Sequence, residues 1–409
     1  MRRLLILLAF LAVMAGAGVL IYPQVRAWHH LRAAREESQR YHNAQVIRHL
    51  HICREVWPHD RDVLLLATRA ARRAEVYEDS ERLLSKYQEV WGTDDAFSFE
   101  HLLLAAERRV DQVADLCWSY LDKGHADPDL LLEALTRGYL RQYRYGQARM
   151  CLERWKQMQP DNPQAFYLEG LFLLDHLRVT SKAVDSYRHA LELDPDHEEA
   201  RLGLAVALLM SKDYPRALQE FEHLLQCQPD NLRVQVGLAE CRDGLGETAE
   251  AVRIVDDVLA QQPQFASALS LRGQLALKNG QWAEAENWLR QALRRNPMDH
   301  RAHYSLILCL EQDGREDEAR EQRRKLQQME NDVERFHDIV TKEIAQRPTD
   351  PSLHCALGQL LLRAGRREEG LRWLQSALRL DPNYAPARQA VEEYQKKHES
   401  EPRSFSRER

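Results

Sequence analysis

Seventeen histidines and seven cysteines are the residues in this chain whose types could hold a metal or attack a substrate. Two histidines on one helix face bind zinc only when a third ligand, a cysteine or a carboxylate, is placed to complete the site. His300 and His303 stand at i, i+3 and His49 and His51 at i, i+2, and neither pair has such a companion. Polar helix faces are the simpler place for them, as interfacial placement is for Trp28-His29-His30. Cys53, Cys117, Cys151, Cys227, Cys241, Cys309 and Cys355 are scattered, with no CxxC, no haem-attachment CxxCH and no zinc spacing. They read as small apolar residues in helix packing. Their odd number argues against a complete disulfide framework and leaves a single bridge open. No glycine-rich phosphate loop, GxSxG or HExxH occurs. No catalytic residue, cofactor or metal is expected, and the chain is not expected to be an enzyme.

The elements that carry these residues are helical. Only 17 glycines and 15 prolines interrupt a composition that is 44% hydrophobic and rich in Ala, Leu, Glu, Arg and Gln, the strong helix formers. At 409 residues the chain exceeds what one compact core ordinarily serves, a limit that a repeat array escapes. Its 57 basic and 63 acidic residues are mixed along the sequence, so no domain-wide positive field exists to hold a phosphate backbone. Nucleic acid is excluded as the expected partner.

A fixed period organises the chain. A proline followed by polar residues recurs as Pro160-Asp161-Asn162, Pro195-Asp196-His197, Pro229-Asp230-Asn231, Pro263-Gln264, Pro297-Met298-Asp299 and Pro382-Asn383. The usual interval is about 34 residues, the spacing of stacked helical hairpins, and the step from Pro160 to Pro195 carries one extra residue. Before each proline stands a small residue, namely Ala148, Ala183, Ala217, Ala251, Ala285 and Gly370, where two helices cross and a large side chain would force them apart. A bulky apolar residue follows four positions later: Leu152, Tyr187, Phe221, Val255, Leu289 and Leu374.

This pattern resembles the tetratricopeptide repeat, most closely at Leu204-Ala205, Leu208, Ala217, Phe221, Leu224 and Pro229, and again at Leu357-Gly358, Leu361, Gly370, Leu374, Ala377 and Pro382. The resemblance implies an all-α fold, a right-handed superhelical solenoid of about ten helix-turn-helix hairpins, and the apolar run at the start of the chain places one N-terminal transmembrane helix before them. Hairpins tile as 27–60, 61–94, 95–128, 129–162, 163–197, 198–231, 232–265, 266–299, 300–333 and 351–384. The expected organisation is an anchor at 1–26, degenerate repeats at 27–128, regular repeats at 129–333, a helical extension at 334–350, a last repeat with its capping helix at 351–398 and a disordered tail at 399–409. The extension is expected because the proline is missing there and Leu326, Met329, Val333, Phe336 and Val340 continue at helical spacing.

In that family a concave surface is lined by first-helix positions. The resemblance places Arg69, Arg72, Arg73, Arg137 and Arg141 there in the second and fourth repeats. Tyr167, Leu171, Leu174, Leu202, Val206, Leu209 and Met210 follow in the fifth and sixth, and Glu240, Asp243, Gln274 and Lys278 in later ones. An apolar stripe with arginines at one end suits a peptide carrying acidic groups. The same leucines would equally serve as contacts to a neighbouring helix. Asparagine is missing from these faces, so the resemblance does not extend to the basic clamp of chaperone-binding members.

Leu4 to Tyr22 is an uninterrupted run of apolar or small residues, preceded by Arg2 and Arg3. As a helix it spans about 28 Å, close to the hydrocarbon thickness of a bilayer. A membrane anchor is expected. A signal peptide cleaved after Ala15-Gly16-Ala17 and a buried soluble helix are the alternatives. Arg26, Arg32, Arg35 and Arg40 behind the run would keep the body in the cytoplasm by the positive-inside rule, whereas a short basic head before one apolar segment looks like a signal anchor that exports it. The expected protein resembles a membrane-anchored bacterial tetratricopeptide protein with its body outside the inner membrane. Its partners would be a protein or peptide and the membrane, without a small-molecule substrate. It would be an interaction scaffold or, alternatively, an accessory to an envelope system for cytochrome maturation, secretion or polysaccharide export.

Overall fold

The computed structural model describes residues 2–124 and 127–399, with side chains from 21 to 124 and from 127 to 396. Every regular element among them is a helix. Two compact units result: Met1–Tyr143 with Gln147–Leu224, and Arg144–Gly146 with Leu225–Arg409.

In chain order the first helices are α1 (Arg2–Gln39), α2 (Asn43–Val56), α3 (Arg61–Arg73), α4 (Tyr77–Trp91), α5 (Asp95–Arg108), α6 (Val110–Lys123), α7 (Pro128–Arg141), α8 (Tyr145–Met158), α9 (Pro163–Leu171), α10 (Thr180–Leu193), α11 (Glu198–Met210) and α12 (Tyr214–Cys227). Within the first unit α1 packs on α2, α3 on α4, α5 on α6 and α9 on α10, and successive hairpins stack through contacts such as α2 on α3 and α10 on α11. One core cluster joins Leu31, Ala34, Leu50, Cys53, Leu64 and Tyr87 from four successive helices. No hairpin could bury that face alone.

The second unit continues with α13 (Leu232–Gly244), α14 (Thr248–Gln261), α15 (Ala266–Lys278), α16 (Trp282–Arg295), α17 (His300–Gln312), α18 (Glu316–Asp338), α19 (Ile344–Gln346), α20 (Pro351–Arg363), α21 (Arg367–Leu380) and α22 (Ala385–Glu399). The apolar spacing beyond Ala319 becomes the long α18, and a π-helical turn at Ile339–Glu343 carries it into α19. α22 covers the last hairpin by placing Ala387 and Ala390 against Cys355, Leu374 and Ala377.

The period has a local physical cause. Each proline leaves the preceding helix, and the polar residue two positions on caps the next one: Asn162 accepts from the Gln164 N–H, Asn231 from Arg233 and Val234, Asp299 from Ala302, and Asp350 from Ser352. A donor six positions after the proline returns to its carbonyl, from Arg201 to Pro195, Gln235 to Pro229, His303 to Pro297 and His354 to Pro348. The expectation of surface histidines is therefore corrected. His303 and His354 are buried because they tie this joint, and His42 and His197 are buried in the first unit. Six of the seven cysteines are interior as expected, while Cys227 is exposed.

Most hairpin turns hold one left-handed residue. Tyr41, Glu75, Tyr143, Arg178 and Lys212 supply it in five hairpins and Gly246, Gly280, Gly314 and Gly365 in four others, whereas Arg109 between α5 and α6 has a φ of −143°. At the expected crossing points Ala148, Ala183, Ala217, Ala251 and Ala285 have no exposed surface. The extra residue between Pro160 and Pro195 is absorbed by a π-helical turn at Phe172–His176, with the Leu177 N–H reaching back to the Phe172 carbonyl.

Among the described residues no helix is long and apolar enough to cross a membrane. The expected anchor at Leu4–Tyr22 falls on side chains that, up to residue 20, lie outside the described residues, as does the expected tail from residue 400.

Candidate functional site

The C-terminal half of α3 and the whole of α7 bring charge into an apolar interior. Glu133 is flanked by Leu130, Leu131, Leu132 and Leu135, all buried, so the helix cannot bury that face without burying the carboxylate. Such a group must be paired. Arg73 meets it with Nε 3.1 Å from both oxygens and a terminal nitrogen at 2.9 Å, and its other terminal nitrogen donates to the Ser38 carbonyl at 3.1 Å. Arg137, one helical turn along α7, has Nε 3.4 Å from Glu133 Oε1. Burial works against the charge on Glu133, yet Arg73, Arg137 and Arg72 hold its carboxyl down at about 2. Arg72 is wholly buried and pairs with Glu107, which also accepts from the Tyr77 hydroxyl at 3.1 Å. Burial pushes the Glu107 carboxyl up, against the pull of Arg72.

α9 and α11 extend the network. Gln164 donates to Glu133 at 3.1 Å, and its oxygen lies 3.0 Å from His197 Nε2. His197 Nδ1 accepts the Ala200 N–H at 3.2 Å as the cap of α11, so Nε2 carries the proton that Gln164 receives. Burial pushes this imidazole down to about 4 and keeps it neutral. The corner between α1 and α2 closes over these groups. Tyr41 accepts from Asn162 at 3.3 Å and lies under the Arg73 guanidinium at 4.4 Å, and His42 sits 2.6 Å from Glu37 and 2.9 Å from Asp194.

What remains open is a cavity of about 280 Å³. Its walls are Tyr41 and Asn43 at the α1–α2 corner, Arg73, Ala74 and Glu75 at the end of α3, Arg137 on α7, Gln164, Tyr167 and Leu171 on α9, and Glu199 on α11.

The structure thus gathers Arg73, Arg137, Tyr167 and Leu171 around one cavity. Arg69 stands apart, paired with the buried Glu100 at 3.1 Å, and Arg141 lies over the Tyr77 ring at 4.6 Å with Glu75 at 3.5 Å. Leu202, Val206 and Leu209 share the half-buried side of α11 and do not line the cavity. Leu174 is buried, because the extra residue in the π-helical turn rotates the positions after it by about 100°. Glu240 and Asp243 in the second unit pair across hairpins with Arg301 and Lys278, at 2.8 and 2.7 Å.

Sequence reasoning passed over Glu133, although a lone carboxylate in a run of leucines is a legible sign of a buried ion. It also passed over Tyr41, Gln164, His197 and Glu199. Nothing local announces the meeting of Tyr41 with Asn162, since 121 positions separate them.

Sequence models of the tetratricopeptide repeat match residues 180–228, 208–275, 271–328 and 351–384. Among curated proteins the chain is similar to the interferon-induced protein with tetratricopeptide repeats 3 of Mus musculus, at 25% identity over 225 residues, 54% of this chain and 46% of that protein. The match thus spans just under half of that relative's length. A solved tetratricopeptide repeat protein from Parabacteroides merdae is 16% identical, with a TM-score of 0.38 over 70% of this chain and 99% of its own. The APC/C hetero-tetramer Cut9-Hcn1 gives 14% identity and a TM-score of 0.43 over 86% of this chain and 59% of that one.

Proposed function

Since its repeats at 180–328 and 351–384 make the chain a member of the tetratricopeptide-repeat family, we propose that it is a non-enzymatic scaffold that binds a protein or peptide partner on its first-helix faces. The observation that carries this reading is α11. Its interior contacts are taken by Ala200, Leu204, Ala205, Ala207 and Leu208, all buried, which leaves Leu202, Val206 and Leu209 half-buried and Met210 57% exposed. A partner's apolar segment would cover that stripe. Arg141 at the other end is the partly exposed cation for acidic groups, whereas Arg69, Arg72 and Arg73 are committed to buried carboxylates.

In this reading the hairpins continue as a right-handed superhelix, and the run Leu4–Tyr22 tethers the body to a membrane. Its support is the length of that run in the sequence and the unbroken helix Arg2–Gln39, which leads from it into the first hairpin. The body lies on the exported side.

The test is affinity purification of the full chain from solubilised membranes, in parallel with a variant carrying Leu202→Ser and Leu209→Ser. The partner should disappear from the variant while helicity and melting stay nearly unchanged. A variant that melts early, or that keeps the partner, would dispose of the groove. Release of the wild-type chain by a high-salt wash would dispose of the tether alone.

A further inference from the structure

The cavity in the first unit is built from groups that differ in what they have left to give. Arg73 is saturated by Glu133 and the Ser38 carbonyl, and Gln164 by Glu133 and His197. Two charged side chains on the walls are not. Arg137 Nε has no hydrogen-bond partner, since Glu133 Oε1 stands off at 3.4 Å, and Glu199 Oε2 has none either, with His197 Nδ1 at 3.5 Å already engaged by the Ala200 N–H. Buried polar atoms in native structures are nearly always satisfied, and those that are not mark places where something else supplies the partner. Burial also pushes the Glu199 carboxyl up, against the pull of Arg137 across the cavity.

The two groups are opposite in charge, and that narrows the occupant. An anion seated on Arg137 would face the carboxylates of Glu199 and Glu75, and a cation seated on Glu199 would face Arg137 and Arg73. A molecule that carries both signs meets its complement at each end. At about 280 Å³ the cavity holds about nine water volumes of ~30 Å³ each, at the lower edge of ligand pockets. The Tyr167 ring and Leu171 offer an apolar wall beside the polar pair.

We infer that this cavity binds a small zwitterion of the α-amino acid class, with the ligand carboxylate on Arg137 and its ammonium group on Glu199. The inference stands apart from the scaffold reading, because the stripe on α11 is not part of the cavity. No local motif points to it, since the lining comes from the ends of five helices.

The experiment titrates the full chain in detergent solution with each of the twenty L-amino acids, one at a time, by thermal shift and isothermal calorimetry. The best binder is then repeated as its N-acetyl and its α-amide derivative. At least one amino acid should bind with one-to-one stoichiometry, and both blocked forms should lose tenfold or more. Glu199→Gln should weaken the same amino acid at least tenfold, with the helicity and melting of the free protein unchanged. Arg137→Lys, which keeps a positive charge beside Glu133, should weaken it as well through loss of the planar donor pair. Absence of binding by all twenty overturns the inference. So does an undiminished N-acetyl or α-amide form, and so does unchanged affinity in Glu199→Gln.

Discussion

Glu133 and His197 share one hydrogen-bonded network, yet they respond to acid for different reasons. The Glu133 carboxyl titrates near 2 in the folded chain, below its value of 4.5 when free, so its stabilisation is complete above pH 4.5 and is lost as pH falls toward 2. The His197 imidazole is pushed from 6.5 to about 4 by burial. The unfolded chain therefore binds its proton first, and stability falls as pH drops from 6.5 to 4, by on the order of 3 kcal/mol at the lower end. His197→Asn keeps a capping side chain of the kind found at Asn162 and Asn231 and removes this titration. Urea unfolding followed from pH 7 to 4 should show a shallower decline in the variant. Glu133→Gln should cost about 3–5 kcal/mol at pH 7, since it leaves Arg73 and Arg137 without their carboxylate, and chemical denaturation measures it. An effect under 1 kcal/mol would mean that the pairing is dispensable. Arg73 and Arg137 were legible from the resemblance to the repeat's first-helix positions, but their engagement with one carboxylate was not, because a repeat position places a side chain on a face without saying which neighbour claims it.

At the scale of the hairpin, caps and turns explain why periodicity found the helices so readily. The prolines and the small crossing residues mark the same joints in sequence and in space, because both are needed where one helix ends and two helices touch. Legibility ended where the count departed from 34. The extra residue before Pro195 was visible, but its absorption as a π-helical turn at Phe172–His176 was not, and so Leu174 was assigned to the concave first-helix surface when it is buried. The turns make a separate prediction. Lys212 holds a φ of 61°, the left-handed conformation that glycine supplies at the equivalent place in four other hairpins. Lys212→Gly should raise stability by about 1 kcal/mol, measured by equilibrium unfolding, because it removes the steric cost of a Cβ there. The crossing point offers the opposite case. Ala217 has no exposed surface, so Ala217→Phe should cost about 1–3 kcal/mol by overpacking. Wild-type stability in that variant would contradict the close approach at this joint.

For the whole chain, the two units differ in where their charge lies. In the first, Arg72, Glu107 and Glu133 have no exposed side-chain surface, so their titration is coupled strongly to folding. In the second, the depressed carboxyls belong to partly exposed pairs such as Glu286 with Arg315 and Asp332 with Arg363, which salt screens and which contribute little each. Acid should therefore reach the units unequally. Trp155 is fully buried in the first unit and Trp373 lies in the second, and each can be made the sole tryptophan by replacing the others with phenylalanine. From pH 4.5 down to pH 2, where the Glu133 carboxyl takes up its proton, the denaturant midpoint reported by Trp155 should fall well below that reported by Trp373. A repeat array, whose stability is a sum of local terms, permits such a split. Moderate salt should leave the Trp155 shift almost intact, since the charges behind it are out of reach of counterions. Coincident midpoints at both pH values would show that the array unfolds as one cooperative body and that the buried network governs the whole chain.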